Sequence, residues 1–95
     1  MAEIATALHQ LGSICIDLGK YDEASGYLED SLQRSIEMGH KREVALTKGA
    51  LGRLAKAKGS VSEAMRLWSE SLAELDAIGA PQASIVRNWI RELSG

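Results

Sequence analysis

Apolar residues recur every three or four positions along nearly the whole chain, and glycines at regular intervals interrupt the pattern. Ile4, Leu8, Leu11, Cys15 and Leu18 share one helical face, which predicts a first helix from about Glu3 to Leu18. Gly19-Lys20 ends it, because glycine adopts the left-handed conformation without steric cost. Asp22 is then placed to cap a second helix, whose buried face carries Ala24, Tyr27, Leu28, Ser31, Leu32 and Ile36. Gly39-His40 closes it. A third helix is expected from Arg42 to Lys58, stopping at Gly59. A fourth is capped by Ser60 or Ser62 and buries Ala64, Leu67, Trp68, Ser71, Leu72, Leu75 and Ile78. Gly79-Ala80-Pro81 breaks the chain again, since Pro81 disfavours helical geometry at Ala80. A fifth helix, about 82–94, gathers Val86, Trp89, Ile90 and Leu93 on one side. The short connections suit antiparallel helical neighbours.

The pattern also repeats. Shifting residues 3–40 onto 43–80 gives ten identities: Glu3/Glu43, Ala5/Ala45, Leu11/Leu51, Gly12/Gly52, Gly19/Gly59, Glu23/Glu63, Ala24/Ala64, Ser31/Ser71, Leu32/Leu72 and Gly39/Gly79. Apolar character persists at Ile4/Val44, Ile14/Leu54 and Leu28/Trp68. A fixed period of this size marks stacked helical hairpins, each unable to bury its apolar face alone. The expected architecture is all-α: a single domain of residues 1–95 with hairpins 3–40 and 43–80 and a capping helix 82–94. In the fifth helix Asn88, Arg91 and Glu92 replace the apolar residue, Leu and Gly of the repeat, as a terminal element facing water would require, so the parent protein is expected to end here too.

These motifs resemble the tetratricopeptide repeat. In the first unit the likeness rests on Leu8, Leu11-Gly12, Gly19, Tyr21, Glu23-Ala24, Leu28 and Ser31-Leu32; the second keeps Leu51-Gly52, Ala55, Gly59, Val61, Glu63-Ala64, Trp68 and Ser71-Leu72. The period of 40 is longer than the family's usual ~34, as in the long repeats of bacterial signalling-protein arrays. Lys48 departs from the pattern, standing where Leu8 stands in the first unit. Either its stem snorkels across the groove or the third helix is rotated.

The resemblance implies a right-handed superhelix whose concave face is lined by the first helix of each hairpin. That face would present Thr6, His9, Ser13, Ile16 and Asp17, then Leu46, Gly49, Arg53, Lys56 and Ala57. His9 and Gly49 stand where chaperone-binding members carry carboxylate-gripping asparagines, so chaperone tails are not the expected ligand. The scaffold beneath would be held by Leu11, Leu28, Leu51, Trp68 and Leu72.

Charge sharpens the expectation. Residues 3–40 carry seven acids against Lys20 and Arg34; residues 41–58 carry six bases (Lys41, Arg42, Lys48, Arg53, Lys56, Lys58) against Glu43. Arg53 and Lys56 would then attract an acidic peptide, unless they pair with Glu23, Glu29 and Asp30 of the preceding helix. Nucleic acid fits poorly, because the net charge is −2 and no aromatic-interleaved basic stripe exists. No stretch approaches the roughly 18–20 apolar residues of a membrane span, and the N-terminus does not read as a signal peptide. A lone Cys15, expected to be a buried thiol, agrees with a reducing cytoplasm.

Catalysis finds no support in motifs. There is no phosphate loop, no paired metal-binding histidines and no Cys-x-x-Cys, so no cofactor or metal is expected. His9 and Ser13, four residues apart, could hydrogen-bond, yet lack a third group. The function expected is non-catalytic binding of a protein or peptide. The alternatives are a homodimer formed through the first helix or by exchange of the last, and a sensor segment within a larger signalling protein.

Overall fold

The chain folds as five helices: α1 (Ala2–Asp17), α2 (Tyr21–Met38), α3 (Lys41–Ala57), α4 (Val61–Ala77) and α5 (Ala83–Ser94). The computed structural model describes residues 2–94, with side chains from Ile4 onward, and these contain no strand. Each of the first four helices ends one residue or two before a glycine held left-handed, with φ of 76° at Gly19, 70° at Gly39, 88° at Gly59 and 67° at Gly79. The residue after each glycine donates its N–H five residues back: Lys20 to Cys15, His40 to Ser35, Ser60 to Ala55 and Ala80 to Leu75, at 2.8–3.0 Å. This is the Schellman closure, which satisfies carbonyls that a helix end leaves orphaned.

These turns are so short that they alter the expected caps. Lys20 and Ser60 occupy the N-cap positions, neither with a side-chain bond. Asp22 is therefore the second helical residue of α2, not its cap; its charge still opposes the positive helix terminus.

The two hairpins cross at matched points. A Cβ on Gly12 would stand 2.5 Å from Leu28 Cγ, and one on Gly52 would run into the indole of Trp68. Next to these close approaches Ser31 Oγ donates to the Ala5 carbonyl, and Ser71 Oγ to that of Ala45, both at 2.7 Å. Ala24 and Ala64 are fully buried beside them. The serines thus do more than save space: each ties its second helix to the backbone of its first. The Glu3 side chain of the Glu3/Glu43 match lies outside the described residues.

Stacking adds a second set of contacts. Cys15, Ile16, Ala24 and Leu28 from the first hairpin share a cluster with Ala50 and Leu54 of α3. Ala45, Trp68 and Leu75 form another with Ala80, Ala83 and Val86, so α5 packs within its own chain onto the second hairpin. The result is a slab of 38 × 32 × 17 Å, about two helices deep.

Register explains which apolar residues stay outside. Ile85 stands 40 positions after Ala45, at the point where a first helix meets its second. No such helix follows it among the described residues, and Ile85 is 49% exposed where Ala45 is 0%. At the other end Leu11 is 43% exposed and does not hold the scaffold as expected, because among the described residues no helix packs on that side of α1. Its counterpart Leu51 is partly buried against the first cluster.

Lys48 keeps its helical register and snorkels. Its ammonium reaches the carboxylates of Glu74 and, at 3.4 Å, Glu70 on α4. Burial pushes its pKa down, but the two carboxylates outweigh that effect and hold it above the ordinary lysine value.

Candidate functional site

The inner face is built from α1, α3 and α5. Between α3 and α5 lies a cleft of about 110 Å³ with an apolar floor of Leu46, Gly49, Ala50, Ile85, Val86 and Trp89, and with His9, Arg53 and Gln82 around it. A shallower hollow of about 360 Å³ continues past Arg53, bordered by Lys56, Ala57, Trp68, Trp89 and Glu92. A Cβ on Gly49 would lie 3.5 Å from Trp89 and Ser71, an ordinary packing contact. The wall is rigid because Trp68 packs on Trp89, ring centres 5.4 Å apart, and donates from Nε1 to the Gly49 carbonyl at 2.9 Å.

Four of the ten residues expected on the concave face, His9, Leu46, Gly49 and Arg53, line this one cleft, and Lys56 and Ala57 border its extension. Ile16 does not belong with them. It is 8% exposed and sits in the first core cluster, since its place on α1 turns it between α2 and α3. Ser13 is partly buried and lies outside the cleft. Thr6 and Asp17 are held by α3, as follows.

Glu43 gathers the polar groups of the inter-helix seam. It accepts from Thr6 at 3.1 Å, from His9 Nδ1 at 2.8 Å and from Thr47 at 3.2 Å, and Thr47 in turn meets Ser31. His9 therefore turns to Glu43, not to Ser13. Burial raises the Glu43 pKa, but the hydrogen bond and charge of His9, with the bonds from Thr6 and Thr47, outweigh it and hold the carboxyl below its ordinary value. A depressed carboxyl stabilises the fold above its unfolded-state pKa and loses that contribution as pH falls through the folded value. Glu43→Gln should accordingly cost about 1 kcal/mol near neutral pH and little in acid. Urea melts at pH 7 and at pH 3 check this, the two chains converging as the medium becomes acidic.

Arg53 pairs with Asp17 at 2.9 Å, across from α3 to α1, and not with the acids of α2. Two of those acids are engaged locally: Asp30 with Arg34, and Glu29 with Ser25. The Asp17 carboxylate is well exposed, so the pair is a weak one of about 0–1 kcal/mol that an incoming carboxylate can replace. Gln82 Oε1 is buried at the cleft and accepts no hydrogen bond among the described residues.

Sequence reasoning missed the contribution of α5 and of Gln82 just before it. Gln82, Ile85, Val86 and Trp89 complete the cleft, and the repeat register was the signal: in it Trp89 stands at the place of His9 and Gly49, both expected on the inner face. Among the described residues no three His, Cys, Asp or Glu side chains converge to hold a metal ion, and no helix is long and apolar enough to cross a membrane.

Searches of curated proteins and of solved structures returned no match to the chain. The hairpins closed by left-handed glycines, the Gly12/Leu28 and Gly52/Trp68 crossings and the serine ties of the two units all recur at one spacing. A family model described as tetratricopeptide repeat spans residues 3–75, most of the chain, and the protein belongs to the tetratricopeptide repeat family.

Proposed function

We propose that this chain is a non-catalytic scaffold that holds an acidic peptide bearing an aliphatic side chain in the cleft between α3 and α5. The family is in general a protein-interaction repeat without catalysis of its own. One observation carries the finer reading: an apolar hole framed by Leu46, Ile85 and Trp89 has an exchangeable guanidinium at Arg53 on its border. An aliphatic side chain fills the hole, and a neighbouring carboxylate displaces Asp17 from Arg53. Lys56, further along the same face, extends the attraction to a second acid. The buried, unpaired Cys15 agrees with a reducing compartment such as the cytoplasm.

The test is a fluorescence-polarisation titration with a labelled peptide of alternating acidic and leucine residues. Arg53→Glu combined with Lys56→Glu should weaken binding by about tenfold or more while leaving helicity unchanged. Undiminished binding by the doubly reversed chain would sink the groove reading.

A further inference from the structure

The outer side of α1 carries an apolar stripe that the cleft does not use. Ile4, Leu11, Ile14 and Leu18 are 42%, 43%, 53% and 64% exposed, and Leu8 flanks them, partly buried. The stripe lies away from α3, toward which Thr6, His9 and Asp17 turn with their bonds to Glu43 and Arg53. It repeats a surface that is covered elsewhere in the same molecule. One period later Ile14 becomes Leu54, which is 5% exposed in the cluster with Leu28 of α2. A face that is buried in one unit and bare in the other is a stacking surface without its neighbour.

We propose that a second copy of this chain covers it, through an antiparallel pairing of the two α1 helices about a two-fold axis at Leu11. A two-fold interface must be self-complementary, with each residue pair occurring twice. The apolar positions 4, 8, 11, 14 and 18 meet that condition, because reversing the helix about position 11 returns the same set. Ile4 then faces Leu18 of the second copy, Leu8 faces Ile14, and Leu11 meets its own counterpart on the axis. Spacings of three and four residues give the narrow seam of a helix pair packed side by side. The other exposed large apolar residues within helices, Ile36 and Met38 on α2, Val61 on α4 and Ile85 on α5, number one or two to a helix and form no such stripe. Asp17 turns to Arg53 on α3, away from the seam, and antiparallel helices oppose their dipoles; the excess of acids in residues 3–40 works against the pairing, so added salt strengthens it. One helix per copy buries less than the ~1,200 Å² of a tight complex, so the dimer is weak and concentration-dependent.

Sedimentation equilibrium from about 10 µM to 1 mM tests this, a range suited to an interface of that size. The apparent mass should rise from one chain of 10.2 kDa toward two. Leu11→Glu sets two carboxylates against each other on the axis and should abolish the rise, with circular dichroism unchanged because Leu11 is exposed. Mixing Leu11→Glu with Leu11→Lys should restore it, as only an axis through this residue pairs the two charges. Should Leu11→Glu fail to fold, Leu18→Gln takes its place and should weaken association at least about fivefold. A wild-type chain that stays monomeric throughout assigns the stripe to some other helix and overturns the proposal. So does a dimer that survives Leu11→Glu, or an acid–base mixture that fails to associate.

Discussion

Trp68→Ala should remove about 3–5 kcal/mol of stability, the usual cost of deleting a buried tryptophan, and leave the chain close to unfolded. Trp68 is 2% exposed and connects three parts of the molecule. Its ring fills the space that Gly52 leaves on α3, its Nε1 bonds the Gly49 carbonyl, and its face meets Trp89 of α5. Truncation opens a cavity between α3 and α4 and also withdraws the wall on which α5 rests. Urea denaturation followed by far-ultraviolet dichroism checks the loss. Trp68→Leu gives the control, because Leu28 occupies the same position in the first unit against Gly12. It should cost clearly less than alanine, so equal losses would show that volume at this crossing does not matter.

Gly52→Ala probes the same crossing from the opposite side. On an exposed helix this change would stabilise by about 1 kcal/mol, since alanine is the better helix former. Here the new methyl runs into Nε1 and Cδ1 of Trp68. The indole is rigid, so it must tilt, giving up its bond to Gly49 and its packing on Trp89. Overpacking of this kind costs about 1–3 kcal/mol, and a net destabilisation is expected despite the better propensity. Gly12→Ala meets Leu28 instead, whose two torsions can move aside, and should cost less. The ranking of the two melting midpoints, with Gly52→Ala the lower, is the quantity to measure. A reversed order would mean that the crossings are not held open by glycine for these side chains.

Much of this architecture can be read before any coordinates are seen, and particular residues show why. Gly19, Gly39, Gly59 and Gly79 terminate helices through their own backbone freedom, a property that needs no distant partner. The five helices follow because apolar spacing is a local pattern, and their ends fall within two residues of expectation. The matched Gly12 and Gly52 stand at the tight crossings, and the large residues that fill them, Leu28 and Trp68, share one register. Cys15 was legible as a core thiol in the same way.

The cleft was only half legible. A face assigned helix by helix admits Ile16, which the structure buries because α2 and α3 close on it from two sides. It also omits α5, because a capping helix closes the stack with one side and lines the cleft with another. Arg53 could be matched by sequence with acids on α2, whereas the stacking of α3 beside α1 brings Asp17 to it instead.

From sequence alone come the period, the helices, their glycine stops and the small residues at the crossings, since each depends on neighbours within a turn or on a pattern repeated along the chain. Tertiary structure decided the ion partners of Lys48 and Arg53, the junction at Glu43, the unanswered Gln82 and the bare stripe on α1. Those depend on how one helix is placed against the next. Rotating a helix by a fraction of a turn changes which side chains meet while leaving the apolar spacing that forms it untouched.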